Sequence, residues 1–384
     1  MLLILFALAI CFSQEKKIYV VNPAIEMTYP IVHTGVTSFY SATAEISKPQ
    51  KGKEYYGQDA HYQFNMPSYT DNGNGTVTDN ITGLMWQKDM GEKMTLQEAL
   101  EKVKKRSLGG YNDWRVPTIK ELYSLIQFTG QSLGERLKTP FIDTMYFYQP
   151  VGDISIGERE IDAQTFSCTE YTGRTMNGNQ TVFGVNFIDG RIKGYPKNKK
   201  MYIRLVRGNE NYGINNFVDN GDGTVTDLAT GLTWQKADSG VGMNWKDALA
   251  YAEDLELAGK SDWRLPSAKE LHSIVDYTRS LQATNSPAID PVFICSSIVT
   301  PDGKKNYPYY WTSTSHLDGQ KPYRNAVYIA FGEALGQMNG KIMDVHGAGA
   351  QRSDPKEGTP NNYPAYLGPQ GDMRVVFNYV RCVR

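Results

Sequence analysis

Apolar residues recur at helical spacing in two stretches that mirror each other. In one, Leu122, Leu125 and Ile126 follow Trp114-Arg115-Val116-Pro117-Thr118-Ile119-Lys120-Glu121. In the other, Leu271, Ile274 and Val275 follow Trp263-Arg264-Leu265-Pro266-Ser267-Ala268-Lys269-Glu270. Each pattern predicts an amphipathic helix. Thr118 or Ser267 stands at the N-cap, and Glu121 or Glu270 follows three residues on, which is a capping box. An earlier stripe in each stretch predicts another helix: Leu96, Ala99, Leu100 and Val103 behind Thr95 and Glu98, then Trp245, Ala248, Leu249, Ala252 and Leu255 behind Asn244. Strand-like alternation marks Tyr202-Ile203-Arg204-Leu205-Val206-Arg207 and Tyr379-Val380-Arg381-Cys382-Val383-Arg384. A short strand is expected at Ile18-Tyr19-Val20-Val21.

These paired elements belong to a duplicated domain. Asp71-Asn72-Gly73-Asn74-Gly75-Thr76-Val77-Thr78-Asp79 returns as Asp219-Asn220-Gly221-Asp222-Gly223-Thr224-Val225-Thr226-Asp227. Thr82-Gly83-Leu84-Met85-Trp86-Gln87-Lys88 returns as Thr230-Gly231-Leu232-Thr233-Trp234-Gln235-Lys236. Such ordered similarity means domain duplication, with a period too long for a solenoid. The boundaries read as an export signal over 1–13, a lead segment over 14–67, copy one over 68–208 and copy two over 216–384. The lead segment is expected to lie against copy one. Copy two is longer by about 28 residues, expected as one surface loop over 346–370, where copy-specific binding would sit.

Composition adds a compartment. The 384 residues carry a net charge of -1, so nothing in the balance demands nucleic acid or another polyanion. The apolar run from Leu2 to Ile10 has the length of a secretory signal core and is too short to span a bilayer. Lipidation at Cys11 is the second reading. No later stretch is apolar enough to cross a membrane. Beyond the expected signal over 1–13 only Cys168, Cys295 and Cys382 remain, an odd number without C-x-x-C spacing. Cys295 with Cys382 is the expected disulfide.

The ordered motifs D-N-G-x-G-T-V-T-D, T-G-L-x-W-Q-K, D-W-R-x-P-[ST]-x-K-E-L and Y-[IV]-R-x-V-R resemble the bacterial Lcl C-terminal domain family, named for a collagen-like surface adhesin. The lead residues Tyr55-Tyr56-Gly57-Gln58-Asp59-Ala60 look family-like as well. More distantly, Trp245, Ala248, Arg264-Leu265-Pro266, Trp311 and the terminal Arg381-Cys382-Val383-Arg384 resemble formylglycine-generating-enzyme-like domains. That resemblance implies an α+β fold of two tandem C-type-lectin-like domains, each with two helices packed on small antiparallel sheets. The cysteine pair of that enzyme has no counterpart in either copy, so its chemistry is not carried over.

The candidate chemistry is sparse. The Gly-rich loops read as hairpin turns, with calcium at Asp71, Asp79, Asp219, Asp222 and Asp227 as the alternative. The five histidines lack metal-ligand or triad spacing. Arg115 and Arg264 read as buried anchors rather than ligand contacts. Two features point to binding: basic clusters (Lys104, Lys105, Arg106, then Arg191, Lys193, Lys197) suited to acidic glycans if they meet on one surface, and tyrosines (Tyr309, Tyr310, Tyr363, Tyr366) able to stack on sugars if exposed. The expected function is a secreted or surface-exposed binding protein without catalysis, for glycans or a cell-envelope partner. An enzyme with its site in the 346–370 insert and a self-associating envelope component are the alternatives.

Overall fold

The computed structural model describes residues 27–384. The export signal, Cys11 and the strand expected at Ile18–Val21 lie outside the described residues. Copy one opens with an antiparallel meander of β1 (Tyr69–Asp71), β2 (Thr76–Asp79) and β3 (Met85–Gln87). Its first turn is held by Asp71 Oδ1, which accepts the Gly73 N–H at 3.0 Å. Gly73 and Gly75 sit there at φ 70° and 83°, a region that residues with a Cβ resist. The predicted helices follow as α1 (Leu96–Val103) and α2 (Ile119–Ser124), each opened by its capping box. Then come β4 (Thr165–Glu170), β5 (Thr181–Asn186) and β6 (Arg191–Pro196), and β7 (Val206–Arg207) returns to β3.

Copy two repeats this order. Its elements are β8 (Phe217–Asp219), β9 (Thr224–Asp227), β10 (Thr233–Gln235), α3 (Trp245–Asp254), α4 (Ala268–Ser273), β11 (Tyr309–His316) and β12 (Asn325–Ala330). It continues with a hairpin of β13 (Leu335–Met338) and β14 (Lys341–Asp344), then β15 (Gln351–Pro355), β16 (Tyr366–Leu367) and β17 (Asp372–Met373). α2 and α4 are shorter than their apolar stripes, so Leu125, Ile126, Ile274 and Val275 lie past the helix ends yet wholly buried. The closing segments are strands only in part. Val383 makes single bridges to Trp234 and Arg264 instead of a continuous ladder.

The copies are not separate bodies. They share one antiparallel sheet in the order β11-β12-β15-β6-β5-β4. Ile192 pairs with Val185 inside copy one, and Gln351 pairs with the equivalent Ile329 inside copy two. Ile192 and Gln351 then pair with each other, so an approximate two-fold axis passes between them. On one face α2 and α4 cover a single core that mixes Leu122, Val185 and Ile192 with Leu271, Val327 and Ile329. On the other face α1 and α3 stand apart, each on its own cluster: Leu96 and Ala99 with Phe166, and Trp245 and Ala248 with Trp311.

The motif lysines cross this seam reciprocally. Lys120 Nζ donates to Ser273 O at 2.7 Å, and Lys269 Nζ donates to Ser124 O at 2.7 Å. Tyr123 and His272, also equivalent, meet with ring centroids 4.4 Å apart. Burial lowers Lys120 to about 8 and Lys269 to about 7, against the pull of Asp227 and Asp79 respectively.

Two sequence expectations are corrected here. The lead segment lies chiefly on copy two. Its buried Asp59 accepts hydroxyl bonds from Thr34 (2.5 Å) and Thr314 (2.6 Å) and pairs with His33, and Tyr62 and Phe64 flank the Arg264 guanidinium. A buried carboxylate needs such donors, and copy two supplies one of them. The extra length of copy two is not one loop over 346–370. It arrives in two pieces, the β13–β14 hairpin and the chain after β15, which combine into a four-stranded sheet ordered β14-β13-β17-β16. Backbone groups that a loop would leave to water are paired in that sheet.

Candidate functional site

The Trp-Arg motif is structural in both copies. Trp114 and Trp263 are buried, and their indole N–H groups donate to Leu108 O (3.1 Å) and Leu257 O (3.2 Å). Arg264 forks onto Glu270 with bonds of 2.7 and 2.5 Å, and Arg115 pairs with Glu121. The same glutamates close the capping boxes. Arg204 and Arg381 are wholly buried, and their Nη1 and Nη2 groups donate to backbone carbonyls.

The candidate site lies on the other face of the sheet, between the flanks covered by α1 and α3. It is a cleft of about 510 Å³ over the seam of β6 and β15. Strand alternation sends Arg191, Lys193 and Tyr195 of β6 to one face, and all three line the cleft with Arg352 of β15. Lys193 and Arg352 occupy equivalent positions, each one residue past the paired Ile192 and Gln351. Leu367, Pro369 and Asp372 of the copy-two insertion form one wall, and Glu135, Arg159 and Ile161 of copy one form another.

A charge network floors it. Asp189 Oδ2 lies 3.0 Å from Lys193 Nζ and 3.4 Å from Arg191 Nη1. Arg191 also pairs with Asp318, and Arg352 with Asp372. Burial opposes ionisation of Asp189, but Lys193, Arg191 and Arg352 overcome it and hold the carboxyl below the usual range. Asp318 is treated alike by Arg191 and His316. Burial drives Lys193 down to about 8 against the pull of Asp189. Behind the cleft, His346 Nε2 sits 2.7 Å from Asp372 Oδ1. Burial, reinforced by Arg352 and Lys193, holds that imidazole well below its ordinary range.

Asp344 ends β14 beside this network. Its Oδ1 accepts the N–H of Gly347 at 2.7 Å, and burial, aided by Glu333, raises the carboxyl to about 7. The unfolded chain ionises this residue near its model value of 3.8, while the folded chain keeps the proton to about 7. Stability contributed by Asp344 therefore falls as pH rises from 4 to 7. Asp344→Asn removes that loss. Its advantage over the parent chain in thermal melts is expected to grow between these pH values, to on the order of 2–4 kcal/mol. A pH-independent difference would remove the titration.

The structure sorts the sequence-predicted residues. Arg191 and Lys193 line the cleft. Lys197 instead pairs with Glu170 at 2.6 Å near the far end of β6. Lys104, Lys105 and Arg106 are exposed at the end of α1 and do not join the cleft, so the two basic clusters do not form one surface. Tyr309 and Tyr310 are buried, which ends their role as stacking platforms: Tyr309 stacks on Tyr328 at 5.1 Å, and Tyr310 donates to Asp238 at 2.6 Å. Tyr363 donates to Glu357 O at 2.7 Å, and Tyr366 pairs through its backbone with Met373, bringing Leu367 to the cleft wall.

The calcium reading gives way to turns. Asp71 and Asp219 are taken by Lys88 and Lys236, each at 2.5 Å. Asp222 accepts from Thr224, and the buried Asp79 and Asp227 accept from amides of the following turn. Among the described residues no three His, Cys, Asp or Glu side chains gather as a metal site. The expected Cys295–Cys382 disulfide is also corrected, since Cys168, Cys295 and Cys382 are free thiols. Arg381 Nη2 lies 3.4 Å from Cys295 Sγ, and the neighbouring Cys382 packs into the α3 cluster instead. Adjacent residues of an extended chain face opposite ways.

Asp189, Tyr195, Asp318, Arg352 and Asp372 were missed. The alternation Arg191-x-Lys193-x-Tyr195 was a usable signal for one face of β6. Nothing local announced Arg352, because its place depends on the seam register.

No helix among the described residues is long and apolar enough to cross a membrane. A comparison with curated proteins gives no match. The Lcl C-terminal domain family matches at residues 75–207 and again at 223–346, over more than half of the chain, with the second match ending where the chain after the β13–β14 hairpin begins. The chain therefore belongs to the Lcl C-terminal domain family and carries two tandem copies of it.

Proposed function

We propose that this protein is an exported, surface-exposed binding protein that recognises glycans and does no catalysis. The observation that carries this reading is the seam cleft. Its volume of about 510 Å³ suits a small ligand. The charged groups of its floor are held in ion pairs, Arg191 and Lys193 with Asp189, Arg191 with Asp318 and Arg352 with Asp372, which favours positioning a ligand over attacking it. The apolar run at the N-terminus supports export. The two helices per copy, packed on antiparallel strands with the chain ends bridged to the rest, support a C-type-lectin-like plan for each copy.

An enzymatic reading has one observation behind it, the His346–Asp372 pair beside the insertion. His346 is 1% exposed and Asp372 is already claimed by Arg352. A general base must reach the proton it removes, so binding is the better reading. A glycan array with the full mature chain tests it. Selective signals that survive charge reversal of Lys104, Lys105 and Arg106 are expected. Uniform silence would overturn glycan recognition. Self-association in light scattering without ligand would then favour an envelope component.

A further inference from the structure

The floor of the seam cleft offers hydrogen bonds without offering net charge. Three cations floor the cleft, Arg191, Lys193 and Arg352, and three carboxylates answer them, Asp189, Asp318 and Asp372; on the walls Arg159 pairs with Glu135, and Lys199, over the Tyr195 ring, adds one cation. Asp189 and Asp318 are held ionised by those cations. A sulfate or carboxylate group entering here has to compete with a carboxylate already in place, and it meets that carboxylate's repulsion. The floor is therefore a poor anion receptor despite its arginines.

What remains unspent is directional. Tyr195 Oη, Asp189 Oδ1, Arg191 Nε, and Arg352 Nε and Nη1 have no hydrogen-bond partner among the described residues. Tyr195 is 6% exposed and Asp189 2%, and both line the cleft. An unpaired buried polar group costs about 1–3 kcal/mol, so these groups favour a visitor that carries both donors and acceptors. A hydroxyl donates once and accepts twice, which matches an acceptor set beside several donors. Leu367 and Pro369 add an apolar wall against which ring C–H groups pack.

We infer that the seam cleft binds a neutral sugar residue through its hydroxyl groups, with Asp189 accepting and Tyr195 and Arg352 donating. This rests on the glycan-binding reading and replaces an acidic ligand with a neutral one at this site. Both copies and the insertion contribute to the site, so one copy alone does not build it.

The test uses the full chain on neutral, sulfated and uronic-acid glycans at low and high salt, about 0.05 M and about 0.5 M. Neutral glycans are expected to bind, with an affinity that changes less than about threefold between the two salts. Tyr195→Phe is expected to weaken that binding about tenfold. Its melting temperature is expected not to fall, because the lost hydroxyl is buried and bonds nothing in the protein. Leu367→Asp, at an exposed position on the wall, is expected to weaken binding similarly. Binding confined to sulfated or uronic glycans, falling steeply with salt, overturns the inference and leaves glycan recognition standing. Neutral binding indifferent to Tyr195→Phe also overturns it, by placing the site elsewhere. Silence toward every glycan overturns the glycan-binding reading itself.

Discussion

Methionine in place of Arg381 is expected to destabilise the fold by about 3–5 kcal/mol. Arg381 donates to Gln235 O (2.8 Å), Lys236 O (2.5 Å) and Ile294 O (2.9 Å), and none of its surface is exposed. Methionine fills part of the volume but leaves those carbonyls without their donor in a medium that cannot solvate them. Arg204 does the same work in copy one, donating to Gln87 O, Lys88 O and Tyr148 O, so Arg204→Met is expected to cost as much. The shared core adds a sharper expectation. Both variants are expected to lower the midpoint of one cooperative urea transition at constant slope, wherever the probe lies. Two transitions, with each variant moving only one, would show that the copies fold independently and that the common sheet does not couple them.

The second large effect is a pH slope at the seam. Lys269 titrates at about 7 in the folded chain against 10.5 as its model value. Between those values the unfolded chain binds a proton that the folded chain does not. Stability contributed by Lys269 therefore rises with pH across that window and is flat below about 7. One such group gives a slope of about 1.4 kcal/mol per pH unit. Lys120 and Lys193, each at about 8, add to it in the same direction. Lys269→Met is expected to remove one proton's share of the slope, read from urea midpoints between about pH 8 and about pH 9.5, below the ordinary titration of exposed tyrosines. The absolute stability of that variant decides little. It loses bonds to Ser124 O and His33 O while removing a buried amine, and these effects oppose each other. An unchanged slope would show that the Lys269 amine keeps its charge across the seam.

These two effects fit a family signature whose residues hold the fold, with the seam cleft built from other residues. In D-W-R-x-P-[ST]-x-K-E-L the Trp and Arg close the core, the hydroxyl and Glu cap a helix, and the Lys binds the other copy. A duplicated domain that paired through exposed strand edges alone would leave those edges open to other chains. Here β6 and β15 pair with each other, and reciprocal lysines secure the opposite face. The other face of the sheet is then free to differ between copies. Only copy two carries the insertion that walls the cleft.

Local rules made much of this legible in advance. The duplication, the hairpins at Asp71 and Asp219, and the starts of all four helices depend on residues within a few positions of one another, and caps and turns are interactions of that range. The burial of Trp114 and Trp263 followed from the same reasoning. The sequence alone established that this protein is two copies of one α+β unit whose repeated motif residues hold helices and turns. It did not determine where either copy ends energetically. The seam depends on the pairing of Ile192 with Gln351, a contact across 159 residues, and strand register of that kind is selected by packing of whole faces, not by any local signal. That one register brings Arg352 beside Lys193, gathers the insertion over β6 and leaves Tyr195 facing the cleft. Arg191 and Lys193 were named from sequence, but the assembly of the candidate site was decided by tertiary structure, because its residues become neighbours only after the two copies share a sheet.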